Sequence, residues 1–168
     1  MAQLKLTFWG NRGSCPGFDN KSLFYGGNTT CLSIELDKDH LIILDAGTGI
    51  RKCGQHFKNS KKKMLFMLTH LHWDHIQGFP FFLPIYEKRN IDFFSACGKK
   101  SLSYLLKQLD GIAHPLKATQ LPSKITYLTK KQLYQTYPFT CDFFQTRHPG
   151  SCYAYSLQFG SKKVVFMP

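Results

Sequence analysis

The sequence predicts a mixed α/β (α+β) protein, one domain over residues 1–168, with a cluster of metal-type ligands at a strand end. Three observations predict it. Apolar runs of strand length recur along the chain, the densest being Met64-Leu65-Phe66-Met67-Leu68. One stretch, Ser101 to Leu109, has leucines at 102, 105, 106 and 109, the spacing of a helix face. Directly after the densest apolar run comes Thr69-His70-Leu71-His72-Trp73-Asp74-His75, three imidazoles and one carboxylate in seven residues. Imidazole nitrogen and carboxylate oxygen both suit zinc, and a strand that delivers them together at its C-terminal end reads as a metal site rather than a His-rich surface loop.

The first strand is read over Leu4 to Trp9, where Leu4, Leu6 and Phe8 alternate with Lys5, Thr7 and Trp9. A Gly-rich loop follows, Gly10 to Asn28. It either connects strands or brings backbone N–H groups and Arg12, with Ser14 and Asn28, to the rim of a phosphate site. Two strands, Thr30 to Leu36 and Leu41 to Leu44, flank the polar turn Asp37-Lys38-Asp39-His40. Asp45-Ala46-Gly47-Thr48-Gly49 ends the second of them, and Ile50, Cys53 and Phe57 carry the stripe of a short helix, with His56 turned away from it.

Lys58-Asn59-Ser60-Lys61-Lys62-Lys63 reads as a solvated turn before a nucleic-acid patch, because no aromatic side chains interleave its lysines. After the ligand cluster, Phe79 to Tyr86 is apolar but broken by Pro80 and Pro84, and is expected beside the site. Ile91 to Ala96 is a further strand. The helix from Ser101 is expected to be capped by Ser101 and ended by Gly111. Gly111 to Ser123 is a connection in which His114 could face the substrate, outside the metal set. Phe139 to Thr146 is a strand with His148 just past its tip, and Tyr153 to Phe159 with Lys163 to Met167 make a hairpin across Gly160-Ser161.

His70-x-His72-x-Asp74-His75 at a strand end resembles the HxHxDH motif of the metallo-β-lactamase-fold hydrolases. The flanking stretches Gly10-Asn11-Arg12-Gly13-Ser14, Tyr25-Gly26-Gly27-Asn28-Thr29-Thr30, Asp45-Ala46-Gly47-Thr48-Gly49 and Asp74-His75-Ile76-Gln77-Gly78-Phe79-Pro80 are similar to its phosphodiesterase-type branch. That branch includes hydrolases of cyclic nucleotides and other small phosphodiesters, and transfer-RNA 3′-end endonucleases. The resemblance implies an αββα sandwich with His70, His72, Asp74, His75 and His148 as metal ligands, Asp74 catalytic, and Asp45 supporting a ligand histidine. It implies two zinc ions in the complete arrangement, with manganese or iron accepting the same ligand types. A bridging Asp and a last His of the family pattern have no counterpart here, and strands alternating with helices look too few for two sheets. The chain is therefore expected to be the first two thirds or so of a longer hydrolase. An incomplete sandwich would leave an apolar face uncovered, which favours association with another chain, a homo-oligomer among the options.

Charge and cysteine usage narrow the setting. Lys and Arg number 22 against 10 Asp and Glu, a net +12 that favours anionic partners. The six cysteines share no CxxC spacing, so a zinc knuckle is not expected. They read as reduced thiols of a cytoplasmic protein. The first residues, from Met1, lack the apolar core of a signal peptide, and no run of about 18 apolar residues suggests a membrane span. The function expected is hydrolysis of a small or cyclic phosphodiester by a metal-activated water. Transfer-RNA 3′-end cleavage is the alternative enzyme, though no RNA-gripping arm is visible. A catalytically incomplete binding or assembly module is the non-enzymatic alternative.

Overall fold

Two sheets form, and their order follows from where the apolar runs lie. The computed structural model describes residues 4–18, 20–22 and 24–168; the reading of Met1 to Gln3 falls outside the described residues. Strand β1 (Leu4–Gly10) pairs antiparallel with β2 (Cys31–Leu36), which pairs antiparallel with β3 (His40–Leu44) through the Asp37 turn. That turn is held by Asp37 itself, whose Oδ1 accepts the N–H groups of Asp39 and His40. Helix α1 (Ile50–His56) then crosses to β4 (Lys63–Met67), which runs parallel to β3. A one-turn helix, α2 (Trp73–Ile76), and two 3₁₀ turns over Phe79–Phe81 and Leu83–Tyr86 lead to β5 (Asn90–Phe94), parallel to β4. Helix α3 (Lys100–Leu106) leads to β6 (Lys124–Tyr127), and α4 (Lys130–Thr136) leads into a second sheet of β7 (Thr140–Gln145), β8 (Tyr153–Phe159) and β9 (Lys162–Phe166).

The central strands have both faces covered, which explains their unbroken apolar runs. Leu41, Ile43, Met64, Phe66, Ile91 and Phe93 face the helices, packing on Ile50, Cys53, Phe82, Leu102 and Leu105. Ile42, Leu44, Leu65, Met67 and Phe94 face the second sheet, packing on Tyr155, Leu157, Phe159 and Cys141. The strand count expected from the sequence was therefore too low. A six-stranded and a three-stranded sheet stack here, with helices on the far face of the larger one. Strand β6 and helix α4 were not anticipated. β6 has only four residues, but α4 carries a legible capping box in which Thr129 accepts the Gln132 N–H and Gln132 accepts the Thr129 N–H.

Two smaller expectations also need correcting. Ser101 does not cap α3: the helix starts at Lys100, and the Ser101 hydroxyl donates to the Gly98 carbonyl at 2.6 Å. Gly98, at φ 86°, turns the chain just before the helix. Gly111 does not end α3 either, since the helix stops at Leu106. Gly111, at φ 79°, instead serves the turn in which Asp110 Oδ1 accepts the Ile112 and Ala113 N–H groups.

The second sheet does not reach across β1. Leu6 and Phe8 share a face with Leu4 but are 39% and 68% exposed. Among the described residues, no helix is long and apolar enough to cross a membrane.

Candidate metal centre

The histidines and carboxylates of the motif meet at the C-terminal ends of the parallel strands, where open α/β sheets bind ligands. β3 ends in Asp45, β4 runs into Thr69 and His70, and α2 lifts Asp74 and His75 above them. From the second sheet, the turn after β7 brings in His148. The nitrogens of His70, His72 and His148 lie within 4.8 Å of one another. His75 joins them, its ring centroid 4.2 Å from that of His70.

Asp45 organises the buried half. It is fully buried and sits at φ 62°, a left-handed backbone conformation that a non-glycine residue rarely adopts. Its Oδ1 accepts the Thr69 N–H at 2.9 Å, its Oδ2 meets His75 Nδ1 at 2.7 Å, and the Thr69 hydroxyl donates to it at 2.9 Å. Close packing holds the turn: Gly47 has no room for a Cβ, which would lie 2.4 Å from the Asp74 carbonyl oxygen.

These bonds fix two tautomers. The one hydroxyl proton of Thr69 goes to Asp45, so Thr69 Oγ1 can only accept from His70 Nδ1, 3.0 Å away. His70 therefore carries its proton on Nδ1 and turns a lone pair on Nε2 into the site. That Nε2 is buried and has no hydrogen-bond partner among the described residues. His75 likewise gives Nδ1–H to Asp45 and points Nε2 toward Asp74 Oδ2 at 3.4 Å. A buried nitrogen lone pair with no donor, among three further imidazoles and a carboxylate, fits a metal ion such as zinc.

Electrostatics keep the inner pair distinct. Burial first, then the neighbouring His75, His72 and His148, push His70 down to about 3, so it stays neutral and ready to ligate. Burial also pushes His75 down, but the hydrogen bond and charge of Asp45, with Asp74, outweigh it and raise His75 above its ordinary value.

The outer half is exposed. His72 Nδ1 and His148 Nε2 face each other at 2.9 Å, across 76 residues of sequence. Ser14, at φ 61°, reaches the site through its backbone: its N–H donates to Asp74 Oδ2 at 2.8 Å.

Similarity to solved structures bears on the whole arrangement. The metallo-β-lactamase fold protein YhfI from Bacillus subtilis matches with a TM-score of 0.66 at 20% identity, covering 97% of this chain and 61% of that one. The short form of human tRNase Z (ELAC1) matches with a TM-score of 0.65 at 16% identity, covering 97% and 68%. Zinc-bound PqqB from Methylobacterium extorquens matches with a TM-score of 0.60 at 14% identity, covering 99% and 62%.

The chain has the metallo-β-lactamase fold.

It spans about 61 to 68% of the length of those three chains. No protein-family model and no curated protein matches the sequence.

Within the metallo-β-lactamase fold, the expected rim residues divide. Ser14 lies against Asp74, as above. Arg12 is turned into its own loop, its Nε donating to the Cys15 carbonyl at 2.7 Å. Asn28 braces that loop, its carbonyl accepting the N–H groups of Asn11 and Arg12 and its side chain the Thr48 hydroxyl. His114 is not brought to the histidine cluster. It stacks on Tyr86, its Nε2 3.3 Å from the phenol, in a separate hollow bounded by Arg51 and Phe81. The lysine run 58–63 lies at the start of β4, the strand end away from the histidines. There Lys62 donates to the Asp37 carbonyl.

Sequence reading missed three contributors. Thr69, the bridge between Asp45 and His70, was visible beside the motif but had no assigned partner. The Tyr155 phenol donates to the Leu68 carbonyl at 2.7 Å and accepts the Ala96 N–H at 2.9 Å, tying the second sheet to the residues just before His70. The Cys97 thiol, its pKa raised by burial, sits between the Thr69 carbonyl at 3.3 Å and the Ser151 carbonyl at 3.0 Å and can give its one proton to either, which places the His148 turn beside the end of β4.

Proposed function

We propose that this chain is a metal-dependent hydrolase, and within that class a phosphodiesterase acting on a small or cyclic phosphodiester. The observation that carries the reading is the buried Nε2 of His70, without a hydrogen-bond partner among the described residues, beside His72, His148, His75 and Asp74. His70, His72 and His148 would hold one zinc, leaving a position open for water; Asp74 and His75 would contribute to a second. Bound metal of this kind lowers the pKa of water toward neutrality and stabilises the charge on phosphate oxygens.

The chain's own residues do the rest. Asp45 and Thr69 hold His70 and His75 with Nε2 inward, so no tautomer change is needed when metal enters. The Ser14 N–H fixes one oxygen of Asp74, which with His75 would hold the second ion. Hydrolysis uses one water. Its oxygen forms the new P–O bond, the P–O bond to the leaving group breaks, and a water proton ends on the departing oxygen. A net charge of +12 favours an anionic substrate.

The test is zinc content together with turnover of bis(p-nitrophenyl) phosphate. About two zinc per chain, with activity removed by a chelator and restored by zinc, is the expected result. One zinc or none, with no turnover, would favour a binding module. Likeness to human tRNase Z supports RNA cleavage as a second reading. An RNA substrate would bind with a steep salt dependence through counterion release, a small phosphodiester with a shallow one.

A further inference from the structure

Beside the histidines lies a cleft of ≈ 310 Å³ bounded by His70, His72, Lys100, Tyr104 and Gly150. Lys100 also bounds a second, larger groove of ≈ 890 Å³ that runs along α3. The floor of this groove is Leu102, Leu106, Leu109 and Ala118, and Lys99, Lys100, Lys107 and Lys117 line it too. The helix stripe read from the sequence is therefore wider than the core uses. Leu105 is fully buried, while Leu106 is left half-exposed along the groove. One carboxylate, Asp110, lines the groove, and its Oδ1 is committed to the N–H groups of Ile112 and Ala113.

We propose that this groove binds an aliphatic chain carried by the phosphodiester substrate, an inference that rests on the phosphodiesterase reading above. Two features fix the occupant. The floor is leucine and alanine, and among the described residues neither aromatic nor amide side chains line it, so they offer no stacking surface or edge-reading group for a nucleobase. Its four lysines select an anion over a neutral or cationic amphiphile. Because Lys100 walls both cavities, a chain seated on Leu106 and Leu102 leads its phosphate to the histidines. The substrate class is thus an anionic amphiphile, a phosphodiester with one extended alkyl group.

A homologous series tests this on the zinc-loaded full chain. With p-nitrophenyl methyl, butyl and octyl phosphates, KM should fall about two- to fourfold per added methylene while kcat changes little. Ala118→Trp, which fills the groove, and Leu106→Glu, which charges its floor, should flatten that dependence. Circular dichroism checks that each variant folds, and the exposed Lys107→Glu is the fallback, expected to weaken the octyl ester most. Calorimetry with octyl phosphate, methyl phosphate and octyltrimethylammonium reads the groove without catalysis, and only octyl phosphate should bind well. Turnover with a KM independent of chain length overturns this proposal and leaves the phosphodiesterase reading standing. No turnover, but preferential octyl phosphate binding lost in Leu106→Glu, overturns the reading and keeps the groove. A flat alkyl series with tight single-stranded oligonucleotide binding, weakened by Lys107→Glu, would make the groove a nucleic-acid track and overturn the proposal.

Discussion

The inner and outer halves of the histidine cluster are built by opposite means. His70 and His75 are buried and locked by one carboxylate, His75 directly and His70 through the Thr69 hydroxyl. His72 and His148 are exposed and meet because two sheets stack. The inner half is bound up with folding, since Asp45, Thr69 and the two rings satisfy one another in a place water does not reach. The outer half adds ligands at little cost to the fold. Within the buried half, Asp45 keeps a left-handed backbone that a well-determined surrounding retains.

The comparison breaks first at Asp45. Asp45→Ala leaves the His75 Nδ1–H and both Thr69 donors unpaired in the interior. It should cost about 3–5 kcal/mol in the metal-free chain, read by chemical denaturation. A loss under about 1 kcal/mol would mean that the carboxylate does not organise the inner half.

Acid should separate the two inner histidines. His70 is held neutral down to about 3 when folded but takes up a proton near 6.5 when unfolded. Its contribution is therefore present above 6.5 and is lost as pH falls from 6.5 toward 3. His75 has a raised folded value, so its contribution is complete below 6.5 and fades as pH rises through that value. Metal-free stability should therefore fall on both sides of about 6.5. His70→Gln should flatten the acid limb alone; an unchanged limb would remove His70 as its cause.

Thr69→Val keeps the shape and deletes the bridge. It should cost about 1–2 kcal/mol and weaken zinc binding about 10- to 100-fold, with Thr69→Ser restoring both. Failure of serine to rescue would make the threonine a packing residue. The outer half gives the smallest stability effect: His148→Ala should shift metal-free stability by no more than about 0.5 kcal/mol.

What the sequence made legible was local. The HxHxDH spacing, the Asp45 turn and the strand-tip His148 each stand in a short stretch whose residue types announce their chemistry. What escaped it was decided at a distance. Tyr155 bonds to Leu68 across 87 residues, and nothing in a strand pattern says which carbonyl a phenol will find. His114 pairs with Tyr86 because a loop folds back over the 3₁₀ turns, so its distance from the histidine cluster could not be read from the loop's composition. β6 was too short, with one half-buried face, to stand out from the connections around it. Its omission left one edge strand of the larger sheet unread.

The most direct measurement is zinc content of the purified full chain, wild type against His148→Ala, each checked for an unchanged circular dichroism spectrum. If His70, His72 and His148 share one ion, the variant should lose about one zinc per chain while keeping its fold. Equal zinc in both proteins, or none in the wild type, would contradict a metal centre made where the two sheets meet.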